Sequence, residues 1–172
     1  NPFNGKIDLF SPEKSIEIQN RLGSDVAMCL DDVPPANSGI DRLKETVKRT
    51  CEWAKRCINA HENKKQLLFG ITQGGTNKKL REQSTIEISE MGFDGIAVGG
   101  LSIGEEKKKM HKTIKDSMKI IPQNLPRYLM GVGSAKELVQ SVVLGIDVFD
   151  SCFPTRTARH GMAFSFGKNL HL

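Results

Sequence analysis

Short, nearly continuous apolar runs alternate with longer amphipathic stretches along this chain. The runs fall at residues 26–30, 67–71, 95–98, 128–130 and 146–149, and their length and composition predict strands. Helical periodicity fills the intervals at residues 38–61, 78–91, 105–120 and 135–144. A further helix opens at Ser11, an N-cap residue followed by Pro12 at the first helical position, and Gly23 stops it. Its expected apolar stripe is Ile16, Ile18 and Leu22. In the 105–120 helix, Met110, Ile114, Met118 and Ile120 form the expected buried side, which leaves Lys107, Lys108 and Lys109 as a hydrated face.

Strands alternating with helices imply parallel pairing through right-handed crossovers. Runs that stay apolar instead of alternating fit strands covered on both faces. Two architectures satisfy that pattern: an open doubly wound sheet, or part of a (β/α)8 barrel. The residues after each run discriminate between them. They are Asp31-Asp32, Thr72-Gln73-Gly74-Gly75, Gly99-Gly100-Leu101, Gly131-Val132-Gly133 and Asp150. Polar and glycine clusters at the C-terminal ends of many strands are the habit of a barrel, whereas an open sheet concentrates them at a switch point. The expected fold is therefore α/β, a partial TIM barrel, because five units are too few to close one.

With 172 residues the chain has room for one core and not for two comfortable domains. No stretch approaches the roughly 18 apolar residues of a membrane span. The net charge of +5 permits an anionic partner without demanding one. Cys29, Cys51, Cys57 and Cys152 are far apart, with no Cys-x-x-Cys pair and no His at zinc spacing. They read as free thiols of a reducing compartment, and the expected location is cytoplasmic. Asn1-Pro2-Phe3 lacks an initiator Met, so the chain is expected to be a cut piece.

Candidate chemistry centres on Asp150, where an apolar strand meets a basic loop turned by Pro154. The strand aims the acid from a rigid element. The following loop carries Arg156 and Arg159 with no acidic neighbour, the balance wanted for holding phosphate. A carboxylate nucleophile beside a phosphate-binding loop suits chemistry on a ribose within a nucleic acid, although an acid ending a strand can also be a cap or an ion-pair partner. Asp147 has the opposite strand parity and reads as structural.

Taken together, Asp31-Asp32, the 69–75 segment with Gln73-Gly74-Gly75, the 92–105 segment with Gly99-Gly100-Leu101, 127–133 and 145–159 resemble the tRNA-guanine transglycosylases (queuine tRNA-ribosyltransferases) in order and spacing. Residues 11–19 fit as well. The resemblance implies a (β/α)8 barrel, of which this chain would hold roughly strands four to eight. It also implies exchange of guanine at the anticodon wobble position of tRNA for a 7-deazaguanine base, queuine or its precursor.

By the same resemblance Asp150 is the nucleophile that attacks ribose C1′. Asp31, Gln73 and Gly100 recognise the base, Leu101 and Met130 pack on its faces, and Arg156 and Arg159 contact the anticodon loop. Glu105 corresponds to a carboxylate near the pocket peptide, with a helix N-terminal acid as the alternative, and His160 gains no role. Asp31-Asp32-Val33 departs from the Asp-Glu-Cys usual in bacterial-type members and resembles those that accept queuine itself. The general acid/base aspartate, beside a Ser-Gly-Gly motif, and a zinc subdomain with three Cys and a His are expected outside this chain. No metal site is expected within it, and full-length members are expected to form homodimers or heterodimers. The competing reading is a non-catalytic tRNA-binding subunit of a heterodimeric transglycosylase. A different barrel enzyme with a phosphate site at Gly131-Val132-Gly133 would leave Gln73-Gly74-Gly75 and Gly99-Gly100-Leu101 unexplained.

Overall fold

A computed structural model describes residues 5, 7, 9–35, 37–165 and 168–171. Asn1, Pro2 and Phe3 lie outside these described residues. The elements run α1 (Pro12–Leu22), β1 (Val26–Met28), α2 (Ile40–Ala60), β2 (Leu67–Thr72), α3 (Lys78–Ser89), β3 (Gly95–Val98), α4 (Lys107–Ser117), β4 (Arg127–Leu129), α5 (Ala135–Val143) and β5 (Val148–Phe149). After them come α6 (Phe153–Ala158), β6 (Met162–Ser165) and β7 (Lys168–His171). Strands β1 to β5 form one parallel sheet in sequential order, curled as half of a barrel. That order follows from repeated β-α-β crossovers, in which each helix returns the chain to pair beside the strand before it.

Burial explains the apolar runs. All of β3 is buried, as is β2 from Leu68 to Thr72, while β5 at the end of the sheet is partly open. Helix α2 covers the sheet with Thr46, Val47, Thr50, Cys51, Ala54 and Cys57, a stripe at three- and four-residue spacing. The three interior thiols Cys29, Cys51 and Cys57 are free, and burial pushes each up from the ordinary thiol range; Cys152 is free and exposed.

Helix α1 begins and ends as its sequence predicts. The Ser11 hydroxyl accepts from Lys14 N, and Gly23 caps the C-terminus at φ +69°. The expected stripe does not form, however. Ile16 is fully buried beside Pro12 and Ser15, but Ile18 is exposed and Leu22 is 76% exposed. The helix packs against α2 and β1 through the side that carries Pro12, Ser15 and Ile16, which leaves Ile18 and Leu22 in solvent. Two elements went unanticipated: residues 153–158 fold as a short helix instead of a loop, and β6 and β7 form an antiparallel hairpin.

Acidic residues pin neighbouring strands where they begin. Asp94 accepts from Leu68 N at 2.8 Å and returns its own N–H to Leu68 O at 3.0 Å. Asp147 does the same to Arg127, at 2.9 and 2.8 Å, which gives it the structural role expected from its parity. These clamps set the register one strand at a time, so the opposite edge is aligned as well.

Candidate active site

Because all five strands are parallel, their C-terminal ends share one edge. Asp31 follows β1, Gln73 follows β2, Gly100 and Leu101 follow β3, Met130 follows β4, and Asp150 follows β5. Neighbouring strands lie about 4.8 Å apart. Asp31 and Asp150 therefore sit roughly 19 Å apart along the sheet, measured strand by strand, at the same C-terminal edge, the mouth of the half-barrel.

On one side of that mouth Asp31 and Gln73 form a unit. Gln73 Nε2 donates to Asp31 Oδ2 at 2.6 Å, which fixes the amide orientation. Gln73 is completely buried, yet its Oε1 has no partner among the described residues. Gly100 lies against it: with φ +64°, a Cβ there would sit 2.2 Å from Gln73 Oε1, so only glycine lets the backbone approach. Burial raises the pKa of Asp31 above the ordinary carboxylate value, opposed by the Gln73 hydrogen bond. Its neighbour Asp32 is held the other way. Arg42 donates to both its oxygens at 2.7 and 2.5 Å and Arg49 adds a bond of 2.6 Å, lowering its pKa. Both guanidiniums belong to α2, so Asp32 anchors the peptide that presents Asp31.

Across the mouth, Asp150 Oδ1 accepts from the Tyr128 hydroxyl at 2.6 Å and from Gly131 N at 2.9 Å. Asp150 is exposed, with one oxygen anchored and Oδ2 without a hydrogen-bond partner among the described residues. Burial, together with the Asp150 carboxylate, pushes the Tyr128 phenol up, and it stays a donor at neutral pH. Tyr128 was missed in the sequence, although its strand pairing carried a signal. It is in register with Val148, and Asp150 lies two residues further on, hence on the same face.

The loop after β3 joins the two sides. Glu105 accepts from Ser102 N at 2.5 Å and Ile103 N at 3.0 Å, and holds Ser102 at φ +60°, a costly conformation for a non-glycine residue. The Ser102 hydroxyl reaches Gly131 O at 3.4 Å. Glu105 thus caps this loop; it does not sit in the first turn of α4, which starts at Lys107. Leu101 is buried in the core, and Met130 packs against that core from a half-buried position.

Arg156 lies in α6 and Arg159 at its C-terminal end, both exposed, on the helix that begins three residues after Asp150. Arg156 Nη2 donates to Cys152 Sγ at 2.9 Å, and stacking of Phe153 on Phe164 (5.5 Å between centroids) ties α6 to the hairpin. Lys107, Lys108 and Lys109 are exposed as expected, with Lys107 paired to Glu137. A groove of about 480 Å³ between α3 and α4 includes none of the mouth residues. Among the described residues no three His, Cys, Asp or Glu side chains converge to hold a metal; the zinc that the resemblance implies was expected outside this chain. Nor is any described helix long and apolar enough to cross a membrane.

A family model for queuine tRNA-ribosyltransferase matches residues 1–172. Curated proteins of that name are similar to the chain throughout. The one from Halothermothrix orenii is 48% identical over 163 residues, 95% of this chain and 44% of the relative. Those from Staphylococcus aureus and Bacillus cytotoxicus are also 48% identical, over 92% and 94% of this chain and 42% and 43% of theirs. The chain spans under half the length of these relatives.

Proposed function

The chain belongs to the queuine tRNA-ribosyltransferase family, and from that premise we propose that it forms part of the active site of a tRNA-guanine transglycosylase. What supports this reading is the shared C-terminal edge, where a donor–acceptor set suited to a guanine edge and a carboxylate with one anchored oxygen follow strands of the same parallel sheet. Guanine presents N1–H and 2-amino donors beside an O6 acceptor. Asp31 takes the donors and the Gly100 N–H serves O6, while the buried Gln73 turns its second amide hydrogen toward O6 as the base enters. Leu101 and Met130 flank the ring faces. With the base held there, its ribose extends across the mouth toward Asp150.

The reaction is two displacements at C1′. Asp150 Oδ2 attacks C1′ as the C1′–N9 bond to guanine breaks, and the electron pair leaves with the base, which gains a proton at nitrogen. The resulting ribosyl ester is attacked by N9 of a 7-deazaguanine, which loses its proton as the carboxylate departs. A covalent intermediate splits one hard displacement into two easier ones. Asp150 keeps its Oδ1 contacts to Tyr128 and Gly131 throughout, and these stabilise it as leaving group in the second step. Arg156 and Arg159 hold the splayed anticodon loop at its phosphates.

A protein of the relatives' length carrying this chain should transfer labelled guanine into tRNA at the wobble position, and a 7-deazaguanine should displace it. Tight tRNA binding without any label uptake would favour the non-catalytic subunit instead.

The raised pKa of Asp31 adds a pH signature. Only the ionised carboxylate accepts both base donors, so base affinity should fall as pH drops through a value above the ordinary carboxylate figure of about 4. The stability sign is opposite: burying ionised Asp31 costs stability, a cost incurred as pH rises through the same raised value. Calorimetric titration of guanine against pH would reveal the acid limb, and Asp31→Asn should remove it. A limb that survives in Asp31→Asn would belong to another group.

A further inference from the structure

Arg81 is a charge buried where the fold alone does not need one. It sits in α3, 3% exposed, and all of its bonds to described residues go to neutral acceptors. Nε and Nη2 donate to Gly75 O at 3.1 and 2.9 Å, Nη1 donates to Thr72 O and Oγ1 at 3.0 and 3.2 Å, and Nη2 donates to Gly99 O at 2.8 Å. Every donor of the fork is therefore used, yet among the described residues no carboxylate bonds to it. Burying an unpaired cation is expensive, so a merely structural strut would be better built from a neutral side chain. Burial pushes its pKa down to about 9, with Glu105 opposing, so it stays cationic at neutral pH.

What the fork touches is the back of the base-recognition groups. Gly99 O belongs to the peptide whose N–H is that of Gly100, which donates to none of the described residues. A cation bound to a peptide oxygen draws electron density through the amide and makes its N–H a stronger donor. Thr72 O, the second carbonyl, also accepts from Gly99 N at 3.0 Å, and the third belongs to the loop after Gln73. Gly74 presses that loop onto α3: at φ +115°, a Cβ there would lie 2.7 Å from Arg81 N.

We propose that Arg81 is a positioning residue for the base, which acts through the Gly99–Gly100 peptide to strengthen the N–H that meets the C6 carbonyl. The proposal rests on the base-site reading above. The effect grows during the reaction, because the departing base spreads negative charge onto O6, where a preorganised and polarised donor stabilises it. Arg81 touches neither base nor ribose.

The test compares guanine with 6-thioguanine, which keeps both ring donors but offers sulfur, a poorer acceptor, in place of O6. Affinities are measured for the wild type, Arg81→Lys, Arg81→Met and Asp31→Ala in a protein of the relatives' length. Arg81→Met should weaken guanine about tenfold and 6-thioguanine by less than about threefold, which erodes the discrimination between them. Arg81→Lys, which keeps the charge but reaches fewer carbonyls, should fall between, and it carries the comparison if the Met variant fails to fold. Equal weakening of both bases, or no change in either, would reduce Arg81 to packing and overturn the proposal. Asp31→Ala should weaken both bases alike. If it weakens neither, the base-site reading itself has failed, an outcome distinct from failure at Arg81.

Discussion

Asp150→Asn is expected to lower guanine exchange by on the order of 10⁴-fold or more while tRNA binding survives. The substitution is close to isosteric. The Asn carbonyl oxygen can still accept from the Tyr128 hydroxyl and Gly131 N–H, which hold Oδ1 at 2.6 and 2.9 Å, so the strand end and its loop should keep their shape. The atom that changes is Oδ2, which has no hydrogen-bond partner among the described residues. An amide nitrogen there has no free pair with which to attack C1′, and no ribosyl ester can form. Two measurements check this: incorporation of labelled guanine, and a covalent tRNA–protein adduct on a denaturing gel, present in the wild type and missing from the variant. Turnover within tenfold of wild type, with deamidation excluded, would place the nucleophile elsewhere.

Much of the sheet was legible because parallel strands buried on both faces must be written as continuous apolar runs. The 67–71 and 95–98 runs coincide with β2 and β3 to within a residue. The mouth was legible for a related reason. Each run ends in polar or glycine residues, and a parallel sheet has no choice but to gather those ends at one edge. What the sequence hid depends on partners distant along the chain. Ile18 and Leu22 carry the right period, but period says nothing about whether a neighbour covers the second turn. Residues 153–158 hold a Pro, two Thr and an Arg, which read as a turn; their helix is kept by Pro154 in its first turn and by Phe153 stacking on Phe164.

Arg81 is the most instructive omission. A lone Arg in a helix with few apolar residues reads as solvated, and its true environment is created by the ends of β2 and β3, six or more residues away in sequence and visible only once the sheet is assembled. A clue existed nonetheless: Ser84, Thr85 and Ile88 share its side of α3, and a face mixing small polar residues with an aliphatic one is a face that packs on backbone.

The same division between edge and rim separates the two kinds of recognition. Asp31 is partly buried and keyed to Gln73, whereas Arg156 and Arg159 stand exposed on α6. Their losses should therefore look different. Asp31→Ala should weaken free guanine by about 1–3 kcal/mol, roughly 5- to 150-fold, because the base donors are left unpaired at a buried site. Its effect on tRNA affinity should be small, since most of that affinity comes from phosphates. Arg156→Ala or Arg159→Ala should do the reverse. Each lost phosphate contact should lower the slope of log affinity against log salt by about 0.7, the value for a single strand, and leave guanine binding within twofold of wild type. Arg156 lies in α6 and Arg159 caps its C-terminal end three residues on, so both guanidiniums can follow the same stretch of backbone, and the double variant should lose about twice the slope. Filter-binding across a salt series, paired with calorimetry on the free base, separates the outcomes. If Asp31→Ala and Arg156→Ala depressed tRNA and guanine alike, the mouth would not be divided into a base-reading side and a phosphate-holding rim, and the assignment of α6 to the anticodon loop would fall with it.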